Sequence, residues 1–167
     1  KALLSGGIDL AIAGFPHPLP GVVLEDYYLE HIVLCLSDGL LAQCGIDLDT
    51  HRGEIASGNL SSLRGCPFVL GSAEDIGGRI GRGLLRSSGV SPENVETLLA
   101  LCEQGVGACF CPENLLHTAL SPEQLAHLHI LPLCSEASYP ICFGYLSRSY
   151  PWSVLSEFIR IAREQTA

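Results

Sequence analysis

The chain has 167 residues, 47% of them apolar, with 18 acidic against nine basic side chains and a formal net charge of −9. That length suits one domain or two small lobes, and no run approaches the roughly 18 apolar residues of a membrane span. A duplex of closely spaced phosphates repels so acidic a surface, so nucleic-acid binding by this segment alone is not expected.

In chain order, "KALLSG" reads as the tail of a helix stopped by Gly6 and Gly7, and "IDLAIA" (8–13) as a short buried strand. "GFPHPLPG" (Gly14–Gly21), with three prolines and two glycines, is a loop. "VVLEDYYLEHIVLCLS" (Val22–Ser37) contains two strands, the second apolar from Ile32 to Leu36. "DGLLAQCGIDLDTHRGEIASGN" is polar and mixed, and is expected to be loop with a short helical turn. "CPFVLG" (Cys66–Gly71) is a buried strand. In "SAEDIGGRIGRGLLRSSG" the glycines predict loop through Gly78, then a helix to about Ser88 ended by Gly89.

The stretch "VETLLALCEQGVGACFCPENLL" (Val95–Leu116) changes character several times within 22 residues. Leu98, Leu101 and Cys102 share one helix face. Gly105 stops that helix at C′, "VGACFC" is a strand, and Pro112 suits the first turn of another helix, where its missing N–H is no loss. "HLHILPLC" (His127–Cys134) and "YPICFGYLS" (Tyr139–Ser147) are strands. Pro151 opens a last helix with Trp152, Leu155, Phe158, Ile159 and Ala162 on its apolar face. Continuous apolar strands separated by short helices indicate an α/β fold with parallel sheets covered on both faces.

Most of the eight cysteines sit within apolar runs such as "IVLCL", where a free thiol packs as a small hydrophobe. No CxxC pair occurs, so the strong zinc signature is missing. Cys109 and Cys111 point to one face of a strand, which suits either metal or core packing. His127 and His129 alternate and have no third ligand nearby in sequence, and His17 and His31 read as surface residues. There is no GxSxG elbow and no HExxH, so no enzyme activity, cofactor or metal is expected.

The order of "GGIDLAIAG", "LEHIVLCLS", "LSSLRGCPFVLG", "ETLLALCEQGVGACFCPENLL" and "YPICFGYLSRSYPWSVLSEFI" resembles the effector-binding (substrate-binding) domain of LysR-type transcriptional regulators. The resemblance implies two Rossmann-like lobes with a double crossover, like type 2 periplasmic binding proteins. The first lobe would take residues 1–36 and 136–167, and the second 37–135. It also implies a cytoplasmic regulator, a small-molecule effector in an inter-lobe cleft, a homodimer that becomes a tetramer at full length, and DNA contact only through a helix-turn-helix domain outside this chain. The alternative is a solute-binding protein of a transport system. Two departures stand out. The family's opening strand and helix have no counterpart before Lys1, and the interval from Pro92 to Glu96 is short for a strand the family places there. Either that strand is lost, or residues near Asn94–Val95 are missing.

The candidate site has two parts. Ala13, Gly14 and Phe15 end the first strand, as either a cleft wall or an ordinary strand exit. In "LGSAEDIGGR" (Leu70–Arg79), Gly71, Gly77 and Gly78 let a ligand approach the backbone, while Ser72 offers a hydroxyl. Arg79 offers a bidentate fork and Ile76 an apolar wall, an arrangement suited to a small carboxylate. The competing reading is a solvated turn capped by Ser72 or Asp75. Thr97 either contacts ligand or caps its helix.

Overall fold

A computed structural model of the chain describes residues 2–15, 17–71, 86–134, 137–147 and 153–166. It divides into two compact units, Lys1–Glu30 with Tyr139–Ala167, and His31–Ser138. The chain therefore crosses between them twice. The second unit begins at His31, so the strand "IVLCLS" belongs to it rather than to the first lobe of the sequence reading.

In the first unit, β1 (Leu10–Gly14) and β2 (Val22–Glu30) flank β8 (Tyr139–Leu146), and both run antiparallel to it. The last helix, α6 (Ser153–Thr166), lies against this sheet. Tyr27 donates its hydroxyl hydrogen to the Ala162 carbonyl at 3.2 Å. Arg163 reaches Glu25 at 3.0 Å and the Asp26 carbonyl at 3.1 Å, 5.9 Å above the centre of the Phe143 ring. Ile159 is buried and Leu155 and Ala162 are half-buried, whereas Phe158, predicted on the same apolar face, is 47% exposed. Pro151 and Trp152 lie outside the described residues. The opening segment is a turn, closed by Gly6 N–H to the Leu3 carbonyl, and not a helix tail.

The second unit is built on one sheet. β3 (Ile32–Ser37) pairs antiparallel with β6 (Cys109–Pro112) and β7 (Leu128–Pro132). β4 (Pro67–Phe68) and β5 (Arg86–Ser87) pair in parallel, and a parallel bridge joins Phe68 to Ala108. The spatial order is thus β5-β4-β6-β3-β7. Four strands run one way, with β3 reversed among them. The parallel expectation holds for those four and fails for the antiparallel sheet of the first unit and for β3, whose continuous apolar run reflects burial on both faces: all six of its residues are buried. Residues 38–59, expected to be mostly loop, form two helices, α1 (Asp38–Cys44) and α2 (Leu48–Ala56). Asp47 caps the second, and Gly45 and Gly58 stand just past their ends with positive φ. The predicted helix does not reach Ser88, because Arg86–Ser87 is a strand beside β4; the rest of that expected helix lies outside the described residues. The ladder beside β4 is therefore filled upstream of Pro92.

The 95–116 stretch folds as its pattern directs. α3 (Val95–Glu103) ends in a Schellman motif: Gly105, at φ +74°, donates to the Cys102 carbonyl and Val106 donates to that of Leu101. The chain then enters β6 at once. Pro112 ends that strand and serves as N-cap of α4 (Glu113–Ala119), one position before the expected first turn. Leu99 is buried as well as Leu98 and Cys102, while Leu101 is half-buried, so the core face is rotated from the predicted one. A short α5 (Pro122–Leu125) with a capping box leads to β7. α3 and α4 cover one face of the sheet, and Val33, Cys35, Cys109 and Cys111 join Leu98, Leu99, Cys102 and Leu116 there in one core. On the other face Phe68 stacks on Phe110 at 5.4 Å.

Candidate functional site

In the second unit the four parallel strands share a carboxyl edge, where open α/β sheets hold ligands. The first of the predicted loop residues, Gly71, leaves β4 there. Its carbonyl accepts a hydrogen bond from the Ser91 hydroxyl at 3.3 Å, which ties the β4 exit to the connection between β5 and α3. Ser91 was not singled out from the sequence, where nothing sets it apart in "GVSPEN". Thr97 sits in the first turn of α3 and is exposed. The cap is Asn94, whose side-chain oxygen accepts the Thr97 N–H at 2.8 Å. The Thr97 hydroxyl is therefore not engaged as the cap. Ser72, Ile76, Gly77, Gly78 and Arg79 lie outside the described residues.

In the first unit, Ala13 and Gly14 end β1, with Ala13 half-buried and Gly14 exposed. Phe15 turns back over its own sheet. A Cβ placed on Gly144 would run into the Phe15 ring, nearest its Cζ and 3.0 Å from its Cε2, so the glycine makes room for the ring. Gly14 in turn faces the ring of Tyr139, 2.9 Å from where a Cβ would stand. Both stretches thus occupy strand exits, each within its own unit.

Six of the eight thiols are buried. All eight cysteines are free. The sulfurs of Cys35 and Cys111 are 3.7 Å apart, and Cys102 donates to the Cys35 carbonyl at 3.3 Å. Burial and the neighbouring Cys44 push the Cys66 thiol up to about 12. Hydrogen bonds to Cys102 and Cys35, together with burial, raise Cys109. Cys66 and Cys109, so held, are poor nucleophiles. Among the described residues no group of three or more His, Cys, Asp or Glu is placed to hold a metal. His129 pairs with Asp38 at 2.6 Å rather than with His127. A shallow hollow of about 130 Å³, lined by Gly58, Asn59, Leu60, Ser61 and Arg64, is smaller than the roughly 300 Å³ at which small-molecule pockets begin. Among the described residues no helix is long and apolar enough to cross a membrane.

Two units, two crossings and a sheet with one reversed strand define the class of two-lobed α/β ligand-binding domains, of type 2 periplasmic-binding-protein architecture. The sequence matches the LysR substrate binding domain over residues 1–167, and the chain belongs to that family. This is a family of regulator domains, neither enzymes nor transport solute-binding proteins. Solved structures agree in fold. The regulatory domain of CcmR from Synechocystis, in complex with 2-PG, is similar at a TM-score of 0.72 and 12% identity, over 99% of this chain and 76% of that one. The regulatory domain of CrgA from Neisseria meningitidis matches at 0.65 and 18%, over 99% and 79%. Full-length CbnR, complexed with its target DNA, matches at 0.64 and 17%, over 98% of this chain. The chain spans 55% of CbnR's length. A search of curated protein sequences finds no significant match.

Proposed function

We propose that this chain is the effector-sensing part of a cytoplasmic, DNA-binding transcription regulator, and that its effector is a small molecule carrying a carboxylate or similar anion. The family match over the whole chain carries this reading. The strand exits support it: Ala13, Gly14 and Phe15 end or follow β1 in one unit, Gly71 follows β4 and Thr97 starts α3 in the other, and open α/β sheets take ligands beyond strand ends. Ser72, Ile76, Gly77, Gly78 and Arg79 complete the proposed contacts. A carboxylate suits helix-start amides and an arginine fork, and the net charge of −9 disfavours a polyanion. Effector binding would shift the balance between two arrangements of a homodimer, or of a tetramer at full length, and DNA would be contacted by another part of the protein.

The test is calorimetry on the full-length protein, with an effector found by thermal-shift screening of small carboxylates. Ser72→Ala should weaken binding by about 0.5–1.5 kcal/mol, the net value of one hydrogen bond, and Arg79→Ala by more. Parent-like binding by both variants would place the site elsewhere.

A further inference from the structure

The chain passes between its units at Glu30–His31 and again at Ser138–Tyr139. On the first unit's side the two crossings run as paired strands, because Glu30 and Tyr139 are register partners at the end of the β2–β8 ladder. On the second unit's side the next residues outward, His31 and Ser138, are that unit's first and last. Their side chains meet, with His31 Nδ1 2.8 Å from Ser138 Oγ. His31 is also held by its backbone: its carbonyl accepts the Glu113 N–H at 2.8 Å, where β6 passes into α4. The imidazole is exposed, so packing does not require it, and the ring is free to hold a partner 107 positions away in sequence.

We infer that the His31–Ser138 hydrogen bond is a clip that fastens the two crossings together where they enter the second unit, and that it sets how independently the two units move. Hinges are a few residues at the ends of elements that absorb a change of backbone angle. A chain that crosses twice has two such points. A ladder ties them on one side, and only a side-chain bond does so on the other among the interactions described. Breaking that bond removes the described side-chain link between the crossings on the second unit's side, while the Glu30–Tyr139 pairing and the Glu113–His31 backbone bond remain. Under the effector reading, this would change the fraction of time the domain is competent to bind, and with it the apparent affinity. The test needs no effector, so failure of the clip and failure of the effector reading are distinguishable.

The experiment is backbone ¹⁵N relaxation on the whole chain, which gives an apparent rotational correlation time for each unit. The parent should show one common value. Ser138→Ala and His31→Ala should each split it into two shorter, unequal values. Ser138→Thr, which keeps the hydroxyl, should restore the common value. Hydrogen exchange of the β3 and β6 amides should match the parent in all variants, which separates the clip from general loosening of the unit. If Ser138→Ala does not fold, His31→Ala carries the test. The inference is overturned if the parent already shows two values, or if a folded alanine variant keeps one.

Discussion

Replacing Gly107 with alanine probes the joint on which the second unit depends. A Cβ there would stand 2.8 Å from the Pro67 carbonyl oxygen, 3.1 Å from its carbon and 3.0 Å from the Val69 nitrogen. All three are backbone atoms, so no side-chain rotation relieves the clash. They are also the atoms of the bridge itself: Ala108 N–H donates to the Pro67 carbonyl at 2.9 Å, and Val69 N–H to the Ala108 carbonyl at 2.8 Å. Alanine must push β4 away from β6. Losing two backbone hydrogen bonds costs about 1–3 kcal/mol in all, and forcing an extra methyl into a packed core adds about 1–3 kcal/mol. A stiffer unfolded chain offsets about 0.4–1 kcal/mol. The expected loss is therefore about 3 kcal/mol, a large share of the roughly 5–15 kcal/mol that holds a domain together. Urea unfolding followed by circular dichroism measures it, and hydrogen exchange should show Val69 and Ala108 losing protection first. A loss under about 0.5 kcal/mol with both amides still protected would refute the argument. Because Gly71 leaves β4 three residues after Phe68, the same substitution should weaken effector binding without touching any proposed contact.

Gly144→Ala meets a ring rather than backbone, so Phe15 can swing away; the expected cost is about 1–2 kcal/mol, and nuclear Overhauser contacts between Phe15 and β8 should vanish. Asn94→Ala removes the α3 cap and should cost about 1 kcal/mol in urea unfolding, whereas Thr97→Ala should stay within about 0.5 kcal/mol because only its N–H is used. Native-state alkylation at pH 8 should label Cys44 and Cys134 first, the two cysteines that are not buried, and reach Cys66 only after unfolding. The Cys66 thiol is raised from about 9 to about 12 in the fold, so from pH 9 upward the unfolded chain ionises it first. Stability should be unaffected by this thiol below pH 9 and fall as pH rises from 9 towards 12, and Cys66→Ser should flatten that fall.

How much of this was legible beforehand varies along the chain. The α3–β6–α4 passage could be read directly: a 3.6-residue apolar period, a glycine at the one position needing positive φ, a short apolar run and a proline each have a local cause. The family order could be read for the same reason, since it is an order of such local signals. The α1–α2 segment was missed because its apolar faces are thin, only Leu40 and Leu41 in one helix and Leu48 and Ile55 in the other being buried. Packing on the sheet, not propensity, makes these two helices.

Of the candidate site, the sequence pointed to the strand exits and to Thr97, because turn residues announce where strands end. It could not show that Asn94 takes the cap, that Ser91 closes on Gly71, or that Phe15 lies over Gly144. These depend on which atoms approach through space. The direction of β3 is of the same kind: six buried apolar residues look alike in a parallel or a reversed strand, and only the register with Cys109–Pro112 and Leu128–Pro132 decides between them. Composition and periodicity therefore determined which segments are helix, strand or turn wherever the signal is local. Only the tertiary structure decided pairing direction, the α1–α2 helices and the meeting of His31 with Ser138, because each rests on contacts between residues far apart in the chain.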